Sequence, residues 1–479
     1  MEKFKSCLKS VNFLHCIIKL ITLLSTLSFK PALALAGNET DRLALLALKD
    51  QLLVGGSTPD SAYLRSWDSS LHFCEWQGVQ CQHQRVITLK LTSLKLGGSI
   101  SPSIGNLTFL RTLTLFNNGL QGNIPIEIGQ LRQLHYLNLS NNNLQGEMPV
   151  EISNCSNLQH VLLNQNNFTG EIPSHLGELK NLLTIDFSSN NLVGVIPSSF
   201  GNLSALNYLK LSYNHLEGNI PDTLGRVSGL KIFIVSVNNL SGSVPPSLYN
   251  LSSMTDFAIT SNHFTGRLLS EIDLAFPNLE SILIGGNQFT GTIPESLSNI
   301  SSLQQIGISE NHLSGQVPTN LGNLKNLHTL NLDDNHFGNG KDGDLGFVSS
   351  LRNCSLLSML TLVENNFGGV FPDSVANLST KLSILRITTN QITGSITQGI
   401  GNLVNLNTLH VGENFLVGEI PSSIGKLKNL EGLYLHGNYL TGEIPPSIEV
   451  PSDRMRIKVA IAQLQVVKNK IRRIHEKKA

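Results

Sequence analysis

Apolar residues recur along most of the chain with a period of 24, in the unit LxxLxLxxNxLxGxIPxxIGNLxx. The Asn of this unit falls at positions 118, 142, 166, 190, 214, 238, 262, 287, 311, 335, 365, 390, 414 and 438. An earlier unit has Leu94 at the Asn position. One-residue insertions precede 287 and 390, and a six-residue insertion precedes 365. Such self-similarity predicts fifteen stacked repeats, residues 86–450, in a solenoid of the α/β class.

Each unit predicts a short strand, a turn and a return leg. In "LHYLNLS", Leu134, Leu137 and Leu139 alternate with polar residues, so they point inward from a strand. Asn142 lies where the chain turns away, and its amide is suited to bond the orphaned backbone groups of that turn. One unit cannot bury its own apolar side. Stacked units therefore predict a curved superhelix with a parallel sheet on its concave face and a ladder of Asn side chains.

The LxGxIP segment of the return leg resembles the plant-specific class of leucine-rich repeat, over roughly residues 40–448. The preceding stretch strengthens the resemblance. "ETDRLALLALKDQL" predicts an amphipathic helix starting near Thr40, and "SWDSSLHFCEWQGVQC" matches the N-terminal cap of that family. We assign residues 37–85 to this helical cap, which contains both tryptophans, Trp67 and Trp76. The resemblance implies that the cap covers the apolar edge of the first repeat.

Charge is divided unevenly along the 479 residues, although the net charge is zero. Residues 37–451 carry 20 Lys and Arg against 31 Asp and Glu, the first 36 residues carry a net +4, and the last 28 carry a net +7. An acidic body without an aromatic-interleaved basic patch argues against nucleic acid as a partner.

Both ends of the chain depart from the repeat pattern. Residues 1–36 have a Lys-rich start, an apolar run "LITLLSTLSF" and the small-x-small triplet ending at Ala36, which predicts a secretory signal peptide. Residues 451–479 place Ile457, Ile461, Leu464, Val467, Ile471 and Ile474 at spacings of three and four among nine basic residues. This pattern predicts a basic amphipathic helical tail, suited to shield the last repeat or to lie on an anionic membrane. The alternative without a function is a tail translated from a spliced or frameshifted gene. No other stretch is long and apolar enough for a transmembrane span.

Four cysteines follow the predicted cleavage point. Cys74 and Cys81 are close enough in sequence for a disulfide in an oxidising compartment. Cys155 and Cys354 each lie eleven residues before the Asn of their repeat, where other repeats have leucine. They lie eight repeats apart, about 40 Å at about 4.8 Å per strand, which excludes a disulfide between them. We expect both to be buried thiols.

The sequence contains no catalytic motif in the structural context that its chemistry requires. "GNGKDG" at 338–343 fits GxGxxG formally, but it follows a turn and belongs to the six-residue insertion, so we expect a flexible surface loop. No HExxH, CxxC or GxxxxGK[ST] occurs, and the 14 histidines are scattered. We therefore expect no enzyme activity, no cofactor and no metal.

A binding surface has positive support, because side chains six, four and two residues before each ladder Asn tile the concave face. The candidate ligand-binding residues are Phe116, Tyr136, His160, Tyr208, Lys210, Ile232, Ile234, Asp256 and Leu283. Asp186, Arg386, His410, Tyr434 and His436 occupy further face positions. Exposed Ile232, Ile234 and Leu283 are unusual on a solvated strand, and aromatic and charged residues flank them as at interfaces.

Eleven N-glycosylation sequons support a secreted chain. They are at Asn38, Asn106, Asn138, Asn154, Asn167, Asn202, Asn239, Asn250, Asn299, Asn353 and Asn377. Seven fall in the "GNLS"-type segment, on the side away from the sheet, and Asn138 alone lies on the strand face.

The order of signal peptide, cap and LxGxIP repeats is similar to the ectodomain of a plant leucine-rich-repeat receptor-like kinase, and the insertion is similar to the immune-type subfamily. The resemblance implies an extracellular or apoplastic location, a peptide or protein ligand, and pairing with a leucine-rich-repeat co-receptor kinase. No kinase element maps onto this chain, which predicts a receptor truncated before its membrane span and kinase, or a soluble receptor-like protein. The alternatives are a secreted inhibitor of microbial wall hydrolases, similar to polygalacturonase inhibitors, and a structural wall protein.

Overall fold

The computed structural model describes residues 32–54, 63–68 and 70–448. The predicted tail, 451–479, lies outside the described residues, as does the predicted signal peptide apart from residues 32–36, which belong to the first helix. The two α-helices of the described part are α1, Ala32–Leu52, and α2, Ile272–Ala275.

One sixteen-stranded sheet runs the length of the described solenoid in strict chain order. Its first two strands pair antiparallel and the rest pair parallel. The strands are Val79–Gln82, Arg85–Lys90, Thr112–Thr114, Tyr136–Asn138, His160–Leu162, Thr184–Asp186, Tyr208–Lys210, Ile232–Ile234, Asp256–Ala258, Ser281–Leu283, Gln305–Gly307, Thr329–Asn331, Met359–Thr361, Ile384–Arg386, Thr408–His410 and Gly432–Tyr434. The predicted leucine-rich-repeat solenoid is confirmed.

The return legs form shorter parallel sheets. Their strands are Gln121–Gly122, Asn143–Glu147, Asn167–Thr169, Glu217–Gly218, Asn239–Ser243, His263–Arg267, Gln288–Gly291, His312–Gly315, His336–Phe337, Gly368–Val370, Gln391–Thr393, Val417–Glu419 and Tyr439–Thr441. A short 3-10 helix such as Ser174–Glu178 follows, with Pro173 at its start. Proline fixes its own φ, and the N–H that it lacks is not needed at the start of a helix, so the proline of the return leg marks where this helix begins in most repeats.

Leucines fill the space between the sheet and the 3-10 helices. Leu134, Leu137 and Leu139 are fully buried, and the same positions are buried in the other described repeats. The ladder Asn residues bridge the repeats through this core. Asn214, only 6% exposed, donates from Nδ2 to the carbonyls of Phe187 (3.0 Å) and Leu211 (3.1 Å), and its Oδ1 accepts from the Leu192 N–H at 3.0 Å. One side-chain amide thus supplies hydrogen-bond partners to backbone groups that the pairing of strands leaves without one.

The residue before each ladder Asn has a left-handed backbone, with φ between +48° and +65°. Only two of these fourteen positions, Gly286 and Gly437, are glycine; others include Tyr213 and Val237. A non-glycine residue in this region costs roughly 1–2 kcal/mol. The Asn ladder and the packed leucines on either side hold the backbone in this conformation.

The N-terminal cap is fastened by a buried ion pair. Asp41 on α1 is fully buried and accepts from the Arg85 guanidinium at 2.9 and 3.0 Å and from the Val86 N–H at 2.9 Å. Cys74 and Cys81 form a disulfide, and the ring centroids of the buried tryptophans lie 5.4 Å apart.

The predicted helix start near Thr40 is wrong, because α1 begins at Ala32. Alanine and leucine fill the preceding turns, and their high helix propensity carries the helix past Gly37.

Candidate ligand-binding surface

The parallel pairing of the large sheet aligns equivalent face positions of successive repeats in straight rows. In the row four residues before the ladder Asn, Lys210, Ile234, Ala258, Leu283 and Gly307 are neighbours in register. In the row six residues before it, Tyr208, Ile232, Asp256, Ser281 and Gln305 are neighbours. The structure thus brings six of the nine predicted binding residues onto four adjacent strands.

We call Ile232, Ile234, Ala258 and Leu283 the apolar strip. Ile232, Ile234 and Leu283 are half-buried, whereas the sequence predicted exposed side chains, because neighbours in the rows shield their flanks. The sequence analysis did not include Ala258 among the binding residues, because a small alanine at a face position gives no sign of a contact surface. At Gly307 the Leu283 Cδ2 atom lies 2.9 Å from where a Cβ would lie, so the strip extends over that glycine. The result is a continuous apolar path across the sheet.

Polar groups border this path on the side of the earlier repeats and, at Asp256, on the side of the later repeats. Tyr208 is 36% exposed and precedes Ile232 in register, and Lys210 precedes Ile234. Asp256 follows Ile232 and accepts from the Thr255 hydroxyl at 2.8 Å. An apolar centre with a polar margin is the usual anatomy of a protein interface.

Three predicted residues form a separate group nearer the N-terminus. The rings of Tyr136 and His160 lie 5.5 Å apart, and the His160 Nδ1 atom lies 3.0 Å from the Thr184 hydroxyl. Burial lowers the pKa of His160 below its ordinary value. Phe116 is half-buried two residues before Asn118. This group lies at least three strands before the strand of Ile232, so the structure does not join it to the apolar strip.

Arg386, His410, Tyr434 and His436 are what we call the basic cluster. The first three lie on the last three strands of the sheet, and His436 follows the last of these strands. The first three are neighbours in the row of Ile234, and the His410 and Tyr434 ring centroids are 3.9 Å apart. His436 lies 3.6 Å from the Glu413 carboxylate. Within the described part of the chain, the buried Nε atom of Arg386 has no hydrogen-bond partner. The half-buried Arg386 side chain as a whole places a positive charge on this part of the face, which is suited to an anionic group of a ligand.

The electrostatics of this cluster depend on Arg386. Burial, followed by the charge of Arg386 and then His436, lowers the pKa of His410 to about 4. His410 is therefore neutral near neutral pH, and Arg386 supplies the positive charge beside it.

The six-residue insertion forms a loop at the surface, as predicted, and the structure adds a set of hydrogen bonds that the sequence did not predict. Asp344 is 2% exposed, and its carboxylate accepts from the backbone N–H groups of Asn339 (2.9 Å), Lys341 (3.2 Å) and Gly368 (3.0 Å), and from the Gln316 amide (3.1 Å). One buried carboxylate organises the loop and ties it to two other repeats. The sequence signal was an Asp directly after a Gly-rich turn.

Most of the predicted glycosylation sites are accessible. Nine of the eleven sequon Asn residues are exposed, and Asn38 and Asn138 are half-buried. Asn138 lies on the concave face, where its amide is 3.4 Å from the Tyr136 hydroxyl. Along the 3-10 helices the sequons at 106, 154 and 202 recur every second repeat.

Other kinds of site find no support in the described ranges. None of the helices there is long and apolar enough to cross a membrane. Nor do these ranges contain a group of three or more His, Cys, Asp or Glu side chains suited to hold a metal ion.

Family comparisons match most of the chain. A model of the "Leucine-rich repeat region" matches residues 90–364, more than half of the chain. A "Leucine rich repeat N-terminal domain" matches residues 38–82, and a "Leucine Rich Repeat" matches 429–450. The "Receptor kinase-like protein Xa21" of Oryza sativa subsp. japonica is 58% identical over 66 residues, which are 14% of this chain and 6% of that relative. The match thus spans a small part of that relative.

Solved structures with a similar fold cover more of the chain than that relative does. A "TDR receptor" has a TM-score of 0.67 and 31% identity, covering 76% of this chain and 61% of that one. The "Plant peptide hormone receptor RGFR1 in complex with RGF2" has a TM-score of 0.60 and 28% identity, covering 74% and 67%.

Proposed function

Because the chain belongs to the leucine-rich repeat family, and its relatives are plant receptor kinases, we propose that it is the ligand-recognition part of a plant receptor. It lies outside the cell and binds a peptide or protein on its concave sheet. The observation that carries this proposal is the apolar strip, in which aliphatic side chains of three adjacent strands meet in register on the sheet face. Ile232, Ile234 and Leu283 are half-buried and Ala258 is buried. The peptide-hormone receptor of similar shape supports the same ligand class.

The ligand follows the row of Ile234 in this proposal. Six strand steps separate Ile234 from Arg386, about 29 Å at about 4.8 Å per step. An extended peptide of about nine residues spans that distance at about 3.3 Å per residue. Such a ligand places apolar side chains on the apolar strip and an acidic group at Arg386, the cation of the basic cluster.

The proposed partner is a leucine-rich-repeat co-receptor kinase recruited by the occupied solenoid. We also propose the division into cap (37–85) and fifteen repeats (86–450), with glycans on the exposed sequons keeping the face opposite the sheet free of protein contacts.

The test is selection of peptides from a random 12-residue display library on the secreted chain, followed by affinity measurement of the selected peptides. The double change Ile232→Glu and Ile234→Glu places two charges in the apolar strip. We expect a loss of about 3 kcal/mol, roughly 100-fold in Kd.

The matched control is Val193→Glu with Val195→Glu. These valines are 43% and 54% exposed on a return leg, away from the sheet face. We expect this variant to bind within about twofold of the wild type, since no binding residue is touched. Peptides that bind the Ile232/Ile234 variant as well as the wild type would place the site elsewhere.

A further inference from the structure

The last described repeat leaves core positions uncovered. Leu416, Ile420 and Ile424 are 0%, 7% and 2% exposed. Their equivalents 24 residues later are Leu440, Ile444 and Ile448, of which Ile444 is 45% exposed and the other two are half-buried. We call these three residues the open end. They are aliphatic side chains of the core type that meet no following repeat among the described residues.

Backbone groups are uncovered at the same place. In the preceding repeat the Leu416 N–H donates to the Oδ1 atom of Asn438 at 2.9 Å. The equivalent N–H belongs to Leu440, and no further ladder Asn follows it within the described ranges. The strand Gly432–Tyr434 is also the last of the large sheet. An open sheet edge beside exposed aliphatic side chains favours association with another segment.

The segment 451–479 of this chain has the chemistry to fill this place. Its aliphatic residues at 457, 461, 464, 467, 471 and 474 fall on one side of a helical pattern. It carries nine Lys and Arg against two Asp and Glu, whereas residues 429–448 carry two Glu and no Lys or Arg. Residues 449 and 450 separate it from Ile448, so the segment reaches the open end without a long linker.

We propose that the segment 451–479 docks its aliphatic side on the open end and serves as the C-terminal cap of the solenoid. The contact buries Leu440, Ile444 and Ile448, and the basic residues lie toward the acidic last repeat. The segment thereby does for the last repeat what α1 and the disulfide do for the first.

The first test is hydrogen exchange of the full chain, measured in peptides covering residues 429–448. Ile461→Glu with Leu464→Glu places charges on the aliphatic side, and Ala462→Glu with Asn469→Glu adds the same charges to the opposite side. We expect at least about tenfold faster exchange in the first variant, because the docked segment closes this end. The second variant exchanges like the wild type.

The reciprocal test changes the open end. Ile444→Glu, at a side chain already 45% exposed, leaves the repeats folded and removes the docking surface. We expect trypsin to cleave the Lys- and Arg-rich segment at least about tenfold faster in this variant than in the wild type.

Three outcomes would overturn the proposal. The first is equal exchange in the aliphatic-side variant and the wild type. The second is protection that grows with protein concentration, which would assign the open end to a second copy of the chain. The third is tryptic cleavage of the segment that is slowed only by vesicles containing phosphatidylserine, which would assign the segment to a membrane surface.

Discussion

Removing one amide from the Asn ladder tests how the repeats are joined. In Asn214→Ala the Leu192 N–H loses its acceptor and becomes a buried orphan donor. The carbonyls of Phe187 and Leu211 each lose one donor but keep a second, from Asn190 at 3.0 Å and Asn238 at 3.1 Å. The Ser212 carbonyl also loses the Asn214 donor, at 3.3 Å, but keeps the Ser189 N–H at 2.8 Å. One orphaned N–H and three weakened carbonyls cost about 2–4 kcal/mol.

The assay is hydrogen exchange resolved along the chain, because each repeat contacts only its neighbours and the effect stays local. A local loss of about 2–4 kcal/mol corresponds to exchange roughly 30- to 1000-fold faster. We expect this in residues 187–216 and no change beyond residue 300. The matched control is Asn191→Ala, an exposed Asn next to the ladder position. Acceleration below about threefold at 187–216, or equal acceleration in the control, would refute the reasoning.

Two further changes test the insertion and the basic cluster. Asp344→Ala removes the acceptor of four hydrogen bonds, so trypsin should cleave after Lys341 at least about tenfold faster. The exposed Asn339→Ala keeps the backbone N–H that Asp344 binds and should leave the cleavage rate unchanged, and similar rates in both variants would contradict the loop's dependence on Asp344. Because the folded pKa of His410 is about 4, below its ordinary 6.5, the unfolded chain binds more protons between these values, and stability falls as pH is lowered from 6.5 toward 4. After allowance for solvent exposure, the free energy of unfolding falls by about 1 kcal/mol between pH 7 and pH 5 because of His410. In urea unfolding, His410→Gln should remove that part of the pH dependence. A variant whose stability depends on pH as the wild type does would contradict this role of His410.

The repeat itself could be predicted from the sequence because one pattern recurs, so chance agreement at any single position does not matter. The leucines and the ladder Asn follow from that pattern. The left-handed backbone before each Asn does not, because Tyr213, Val237 and glycine share that position and no residue type signals it. Asp41 and Arg85 are 44 residues apart in sequence, and a single long-range pair has no periodicity to reveal it.

The candidate site could be predicted as a set of face positions, but its grouping could not. The spacing from each Asn identified Ile234 and Leu283, whereas the path between them depends on Ala258 and Gly307, where the sequence has little or no side chain. The contact of His410 with Tyr434 likewise depends on ring orientation, which no spacing encodes.

The spacing of the strands in the large sheet can also be compared with the spacing of residues in a bound peptide. Neighbouring positions of a row are about 4.8 Å apart, and successive residues of an extended peptide advance about 3.3 Å. The length of two repeats along a row therefore nearly equals the length of three residues of an extended ligand. Along the row of Ile234 an extended peptide regains the same position relative to the repeats every third residue, and the same position with its side chain on the same side every sixth, because its side chains alternate. In the proposed function, gain or loss of a single repeat between Ile234 and Arg386 would change the ligand length that fits by about one and a half residues.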